Sequence, residues 1–93
     1  MKYKVVVYTT KFRKNSKQYK HDAGKMKSLL TVIKHLEQLG HVPIEKRPHK
    51  LHGIYEGCME CHVENDFLLI WIDDKTDTIW LERLGTHHEL FGL

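Results

Sequence analysis

The residue types able to move protons are densest around His62-Val63-Glu64-Asn65-Asp66. Imidazole and carboxylate both exchange protons in water, so an His62/Asp66 pair fixed at one turn could act as acid and base. His49 lies ahead of this stretch, and Arg83 and His87 lie beyond it. Metal-free RNA cleavage needs a base for the ribose 2′-OH, positive charge for the phosphorane-like transition state and an acid for the departing 5′ oxygen. Histidine, carboxylate and arginine cover those roles, although eight histidines in 93 residues also leave room for plain solvated ones.

Two other chemistries use the same residues. Cys58-Met59-Glu60-Cys61-His62 matches C-x-x-C-H, the attachment pattern of c-type haem. His49, His52, Cys58, Cys61 and His62 are zinc-ligand types. Both readings meet one obstacle: in a strand, positions 58 and 61 project to opposite faces. Cys61 is better read as a small core residue and Cys58 as an incidental thiol, and the expectation is no cofactor and no metal.

The elements that must hold these groups follow from periodicity. Met59, Cys61 and Val63 alternate with Cys58, Glu60, His62 and Glu64, the period of a strand with one dry and one polar face. Glu60, His62 and Glu64 should therefore point away from the core. Phe67 to Ile72 is an unbroken apolar run of strand length, a central strand with Asp66 at its mouth. After the polar Asp73 to Asp77 turn, Thr78 to Leu84 returns antiparallel, which brings Arg83 and His87 beside Asp66. Arg83 alternates with Ile79 and Leu81, so it reaches the polar face only through a bulge or at the strand's end. Gly85 and Thr86 then open one helical turn through Phe91.

In the N-terminal half, Tyr3 to Tyr8 reads as a strand and Thr9 or Thr10 as the cap of a helix over Lys11 to His21. That helix has only Phe12 and Tyr19 to bury, and Gly24 interrupts it. Met26, Leu29, Leu30, Ile33 and Leu36 fall at three- and four-residue spacing, a second, core-forming helix closed by Gly40. His41 to Lys50 reads as a surface connection, and Ile54 to Glu56 as a strand or bend between turn glycines. The expected architecture is a single α+β domain over residues 1–93, with an N-terminal strand and two helices packed on one face of an antiparallel sheet.

Charge is uneven. Residues 1–27 hold nine Lys/Arg against Asp22 alone, and the remainder holds six basic and eleven acidic residues. Lys11, Arg13, Lys14, Lys17 and Lys20 form a basic face suited to nucleic-acid phosphates, or simply to water. No signal peptide or transmembrane run is visible, and two cysteines make no disulfide framework, so the chain reads as cytoplasmic with no membrane partner.

His62 to Trp71, Glu82 to His87 and Leu90-Phe91-Gly92 together resemble the YafQ-type toxins of the RelE/ParE superfamily, closely from His49 to Gly92 and in pattern alone before that. The resemblance implies a type II toxin–antitoxin toxin, a ribosome-dependent endoribonuclease that cuts mRNA in the decoding site without metal. It implies His49, His62, Asp66, Arg83, His87 and Phe91 as functional positions. Its expected partners are a cognate antitoxin, the ribosome and mRNA, with operator DNA reached only through the antitoxin. Phe67 stands where the family often has tryptophan, and the Asp73 to Asp77 turn is one residue longer. The alternative within the fold is a non-catalytic ParE-like toxin that binds a protein such as gyrase. In the catalytic version Asp66 takes the 2′-OH proton, with His49 as the alternative base. His62 binds the phosphate or orients the base, His87 is the acid, Arg83 neutralises the transition state and Phe91 stacks on the nucleotide.

Overall fold

The computed structural model describes residues 3–92; Lys2, counted in the basic end, lies outside them. The chain runs β1 (Val5–Tyr8), α1 (Thr10–Lys17), α2 (Ala23–Leu39), β2 (His49–Lys50), β3 (Met59–Glu64), β4 (Phe67–Asp73), β5 (Thr78–Gly85) and α3 (His87–Phe91). All five strands share one sheet in the order β1-β5-β4-β3-β2. Hairpin signals fix β3, β4 and β5 as antiparallel neighbours. They say nothing about β1, which crosses over through two helices and lies parallel to β5, Val5 opposite Thr78. The sheet is therefore mixed rather than antiparallel.

Helix boundaries follow local chemistry. The Thr9 hydroxyl caps α1 by accepting from the Phe12 amide at 3.2 Å. This helix ends at Lys17, and residues 18–21 form a turn, so Lys20 lies beyond it. Asp22 caps α2 by accepting from the Lys25 amide at 3.0 Å; Gly24 thus sits inside the first turn of α2 instead of breaking a longer helix. Gly40, in the left-handed region at φ 76°, ends α2.

Both helices pack on one sheet face. Phe12, Leu29, Val32, Ile33 and Leu36 meet Cys61, Val63, Phe67, Leu69, Trp71, Ile79, Leu81 and Leu84. Leu30 departs from expectation and is 54% exposed. It lies 100° around the helix from Leu29, off the stripe that Leu29, Val32, Ile33 and Leu36 define. The opposite sheet face is also covered. Cys58, Leu68, Ile70 and Leu90 form a second core there, flanked by Leu51, Tyr55, Ile72 and Phe91. A β4 buried on both faces accounts for its continuous apolar run. The Gly53–Tyr55 segment is a short 3-10 turn rather than a strand. No helix among the described residues is long and apolar enough to cross a membrane.

Candidate active site

The β3–β4 hairpin turns on Asp66, whose φ of 50° is a left-handed conformation that Asp tolerates better than most residues. A register shift between His62 and Glu64 leaves His62 opposite Leu68, on the face of the second core. At the far end of β5, Thr86 starts α3 with a capping box: the Glu89 amide donates to Thr86 Oγ1 at 3.1 Å, and the Thr86 amide donates to Glu89 Oε1 at 2.9 Å. That box delivers His87 to the hairpin. The His87 amide and ring Nδ1–H both donate to Asp66 Oδ1, at 2.8 and 2.7 Å. These two bonds, the amide's first, hold the Asp66 carboxyl below its ordinary range.

His62 and His87 stand edge to face, 5.8 Å between ring centroids. Burial, and then the positive neighbours His87, Arg47 and His49, push His62 below the ordinary imidazole value, with Asp66 opposing. Such a ring is an acceptor at neutral pH. Phe91 closes the other side, 6.3 Å from His87 and 5.3 Å from Tyr55.

One cross-strand row carries the other groups. His49 pairs with Glu60, Glu60 with Ile70, and Ile70 with Arg83, and directly opposed residues share a sheet face. Arg83 joins the row because β5 bulges: Trp71 pairs with Leu81 but Ile70 with Arg83. The extra residue keeps Ile79, Leu81 and Leu84 in the main core and turns Arg83 to the face of Glu60 and Ile70. Its guanidinium donates through Nε to Asn15 Oδ1 at 2.8 Å and through Nη1 to Tyr55 Oη at 3.1 Å. Tyr55 in turn donates to the Leu90 carbonyl at 2.7 Å.

Glu60 corrects the sequence reading. It does share a face with His62, but that face is dry there, and Glu60 is 3% exposed. Its Oε1 lies 3.2 Å from His49 Nε2, and its Oε2 is buried with no hydrogen-bond partner among the described residues. Burial raises the Glu60 carboxyl above its ordinary range, against the pull of His49 and His87. His49 Nδ1 meets the Arg47 carbonyl at 2.9 Å, so both of its ring nitrogens face acceptors. Neither is free to take a proton from substrate while those contacts stand.

All six catalytic candidates thus lie around the second core. Sequence reasoning missed Glu60, Tyr55 and Asn15, because each gains its place from a contact distant in the chain. A pocket of about 240 Å³ adjoins His62, lined by Lys46, Arg47 and Asn65. A larger cavity of about 450 Å³, at the other end of β3, includes none of the six. Lys11, Arg13, Lys14, Lys17 and Lys20 are exposed on α1 and the turn after it, while Asn15 on the inner side of α1 holds Arg83. The alternative zinc set is not assembled: Cys58 and Cys61 belong to cores on opposite faces. Among the described residues no group of three His, Cys, Asp or Glu could hold a metal ion.

A mixed five-strand sheet, two helices on one face and a histidine–carboxylate–arginine corner beneath a short C-terminal helix define a toxin of the RelE/ParE kind. The family is more specific still. Residues 4–92 match the model for the bacterial toxin of type II toxin–antitoxin systems, YafQ, and the chain belongs to that family. It is 34% identical over 91 residues to the mRNA interferase toxin YafQ of Escherichia coli K12, covering 94% of this chain and 95% of the relative. Among solved structures, E. coli YafQ from strain BL21(DE3) superposes with a TM-score of 0.75 at 28% identity, over 96% of this chain and 99% of that one. A metal-bound toxin from Helicobacter pylori superposes at 0.80 and 30% identity, over 95% and 99%. The E. coli DinJ–YafQ complex gives 0.74 at 29% identity, over 96% and 99%.

Proposed function

We propose that this toxin is an endoribonuclease that cuts mRNA in the ribosomal A site by acid–base catalysis, and that a cognate antitoxin restrains it. The observation that carries this reading is the pair of adjacent imidazoles, His62 and His87, one pushed toward its neutral form and the other fixed by a carboxylate. The relatives named mRNA interferase support the activity, and the DinJ–YafQ complexes support the antitoxin. Ribosome dependence is inferred from the basic face, which suits ribosomal RNA.

The contacts favour a different division of labour from the simplest sequence reading. Asp66 is committed to His87 and poorly basic, and His49 has both nitrogens engaged. His62 is then the base that removes the 2′-OH proton as O2′ attacks phosphorus. His87 donates a proton to the departing 5′ oxygen, leaving a 2′,3′-cyclic phosphate and a 5′-hydroxyl. Asp66 orients His87 so that Nε2 is its free nitrogen. Arg83, with two donors held by Asn15 and Tyr55, keeps the rest of its fork for phosphate oxygens. Phe91 stacks on or positions the nucleotide. A protein-binding, ParE-like mode has no use for these groups around one corner. Incubating the toxin with programmed ribosomes and mapping the mRNA ends decides between the two: cyclic-phosphate and 5′-hydroxyl ends in the A-site codon support the nuclease, and intact mRNA refutes it. Cutting should persist with a transition-metal chelator that leaves ribosomal magnesium in place.

A further inference from the structure

The helix that carries His87 is five residues long, too short to hold itself in water. Asp66 ties its first residue, Tyr55 its fourth carbonyl, and the capping box its start. That box depends on a long, exposed carboxylate side chain, Glu89, keeping one rotamer. A contact from the other end of the chain fixes it. The Tyr19 hydroxyl, from the turn between α1 and α2, donates to Glu89 Oε1, the same atom that accepts from the Thr86 amide. Gly85 lets the carboxylate lie against bare backbone, since a Cβ there would come within 2.7 Å of Glu89 Oε1.

We propose that Tyr19 is a positioning residue for His87, acting through Glu89 to lock the Thr86–Phe91 segment over the catalytic corner. Its ring is itself fixed, 4.7 Å from the ring of the fully buried Phe67, the residue next to Asp66. Tyr19 therefore braces both partners of the Asp66–His87 pair: Phe67 follows one in sequence, and Glu89 lies two residues after the other. Burial and the Glu89 bond raise the Tyr19 hydroxyl, and the Tyr19 bond lowers the Glu89 carboxyl, so donor and acceptor keep their roles across the working pH range. Lys17 and Lys20 flank Tyr19 in sequence, which puts the brace inside the basic segment. A polyanion seated on those lysines would bear on the turn that holds the acid.

The proposal rests on His87 as proton donor, and the test separates the two. Tyr19→Phe keeps the ring on Phe67 and removes only the hydroxyl. In the free toxin, the ¹⁵N signal of His87 Nδ1 should move from its wild-type position and the Thr86 amide should exchange faster. On programmed ribosomes, single-turnover cleavage should slow roughly five- to tenfold, the scale of one lost cap, with an unchanged half-saturating ribosome concentration. Glu89→Gln should slow it equally, and the double variant no further. An unmoved His87 signal, or a loss confined to ribosome affinity, overturns the proposal. Absence of cleavage by the wild type would sink the nuclease reading, while the His87 signal still reports on the brace.

Discussion

A single oxygen, Asp66 Oδ1, receives both the backbone amide and the ring Nδ1–H of His87, at 2.8 and 2.7 Å. Carboxylate and imidazole therefore work as one unit, and their removal should not be additive. His87→Ala should slow cleavage on the order of 10²- to 10⁴-fold. Adding Asp66→Asn to that variant should cost less than about threefold more, as for groups acting through one another. A substrate whose 5′ oxygen is replaced by sulfur, which departs without an acid, should rescue both single variants in single-turnover assays. Rescue of His87→Ala alone would return Asp66 to the role of an independent base.

The pH profile should carry the mark of His62. Its lowered value means that the neutral, proton-accepting form survives into mildly acidic solution. The groups that face it are His87, Arg47 and His49, which lower it, and Asp66, which opposes them. The acid limb of kcat/KM should therefore lie below pH 6.5, the ordinary imidazole value, and should vanish in His62→Gln. An acid limb that persists in that variant would show that another group is the base.

Glu60 should make stability fall as pH rises. Its folded carboxyl is raised by burial, so the folded state favours the protonated form. The stabilisation is complete below the ordinary value of 4.5 and is lost as pH climbs through the raised folded value. Glu60→Gln removes this dependence while keeping the shape. The melting temperature of the variant relative to wild type should rise between pH 4 and pH 7. A constant difference across that range would mean that His49 compensates the buried charge fully.

Core position should matter more than residue type along α2. Leu36 is 0% exposed, and Leu36→Ala should cost about 2 to 5 kcal/mol in urea unfolding. Leu30→Ala, at an exposed site, should stay within about 1 kcal/mol of wild type. Equal losses would place Leu30 in an interface of its own.

Reversing Lys14, Lys17 and Lys20 to Glu should weaken ribosome binding steeply and flatten its salt dependence, because fewer phosphate counterions are released. The melting temperature should hardly change, as these side chains are exposed. Undiminished binding would leave the lysines as a merely solvated face.

Local rules made much of this protein legible from the chain alone. The Thr9 and Thr86 caps, the Gly40 stop, the β3–β4 hairpin at Asp66 and the apolar β4 each depend on residues a few positions apart. Periodicity and capping chemistry therefore reveal them. The nearness of Asp66 to His87 also followed, because an antiparallel return must bring the end of β5 beside the start of β4. Alternation even required a bulge or the strand's end if Arg83 was to face the site, and the structure supplies the bulge. Tertiary structure alone decided the rest. The direction of β1 depends on a two-helix crossover with no hairpin signal. Whether the Glu60 face is wet depends on α3 and Tyr55 folding back over it, so a residue of solvent-facing parity became a buried carboxylate beside His49. Burial is set by what arrives from far along the chain, and that is the information a strand's own alternation cannot carry.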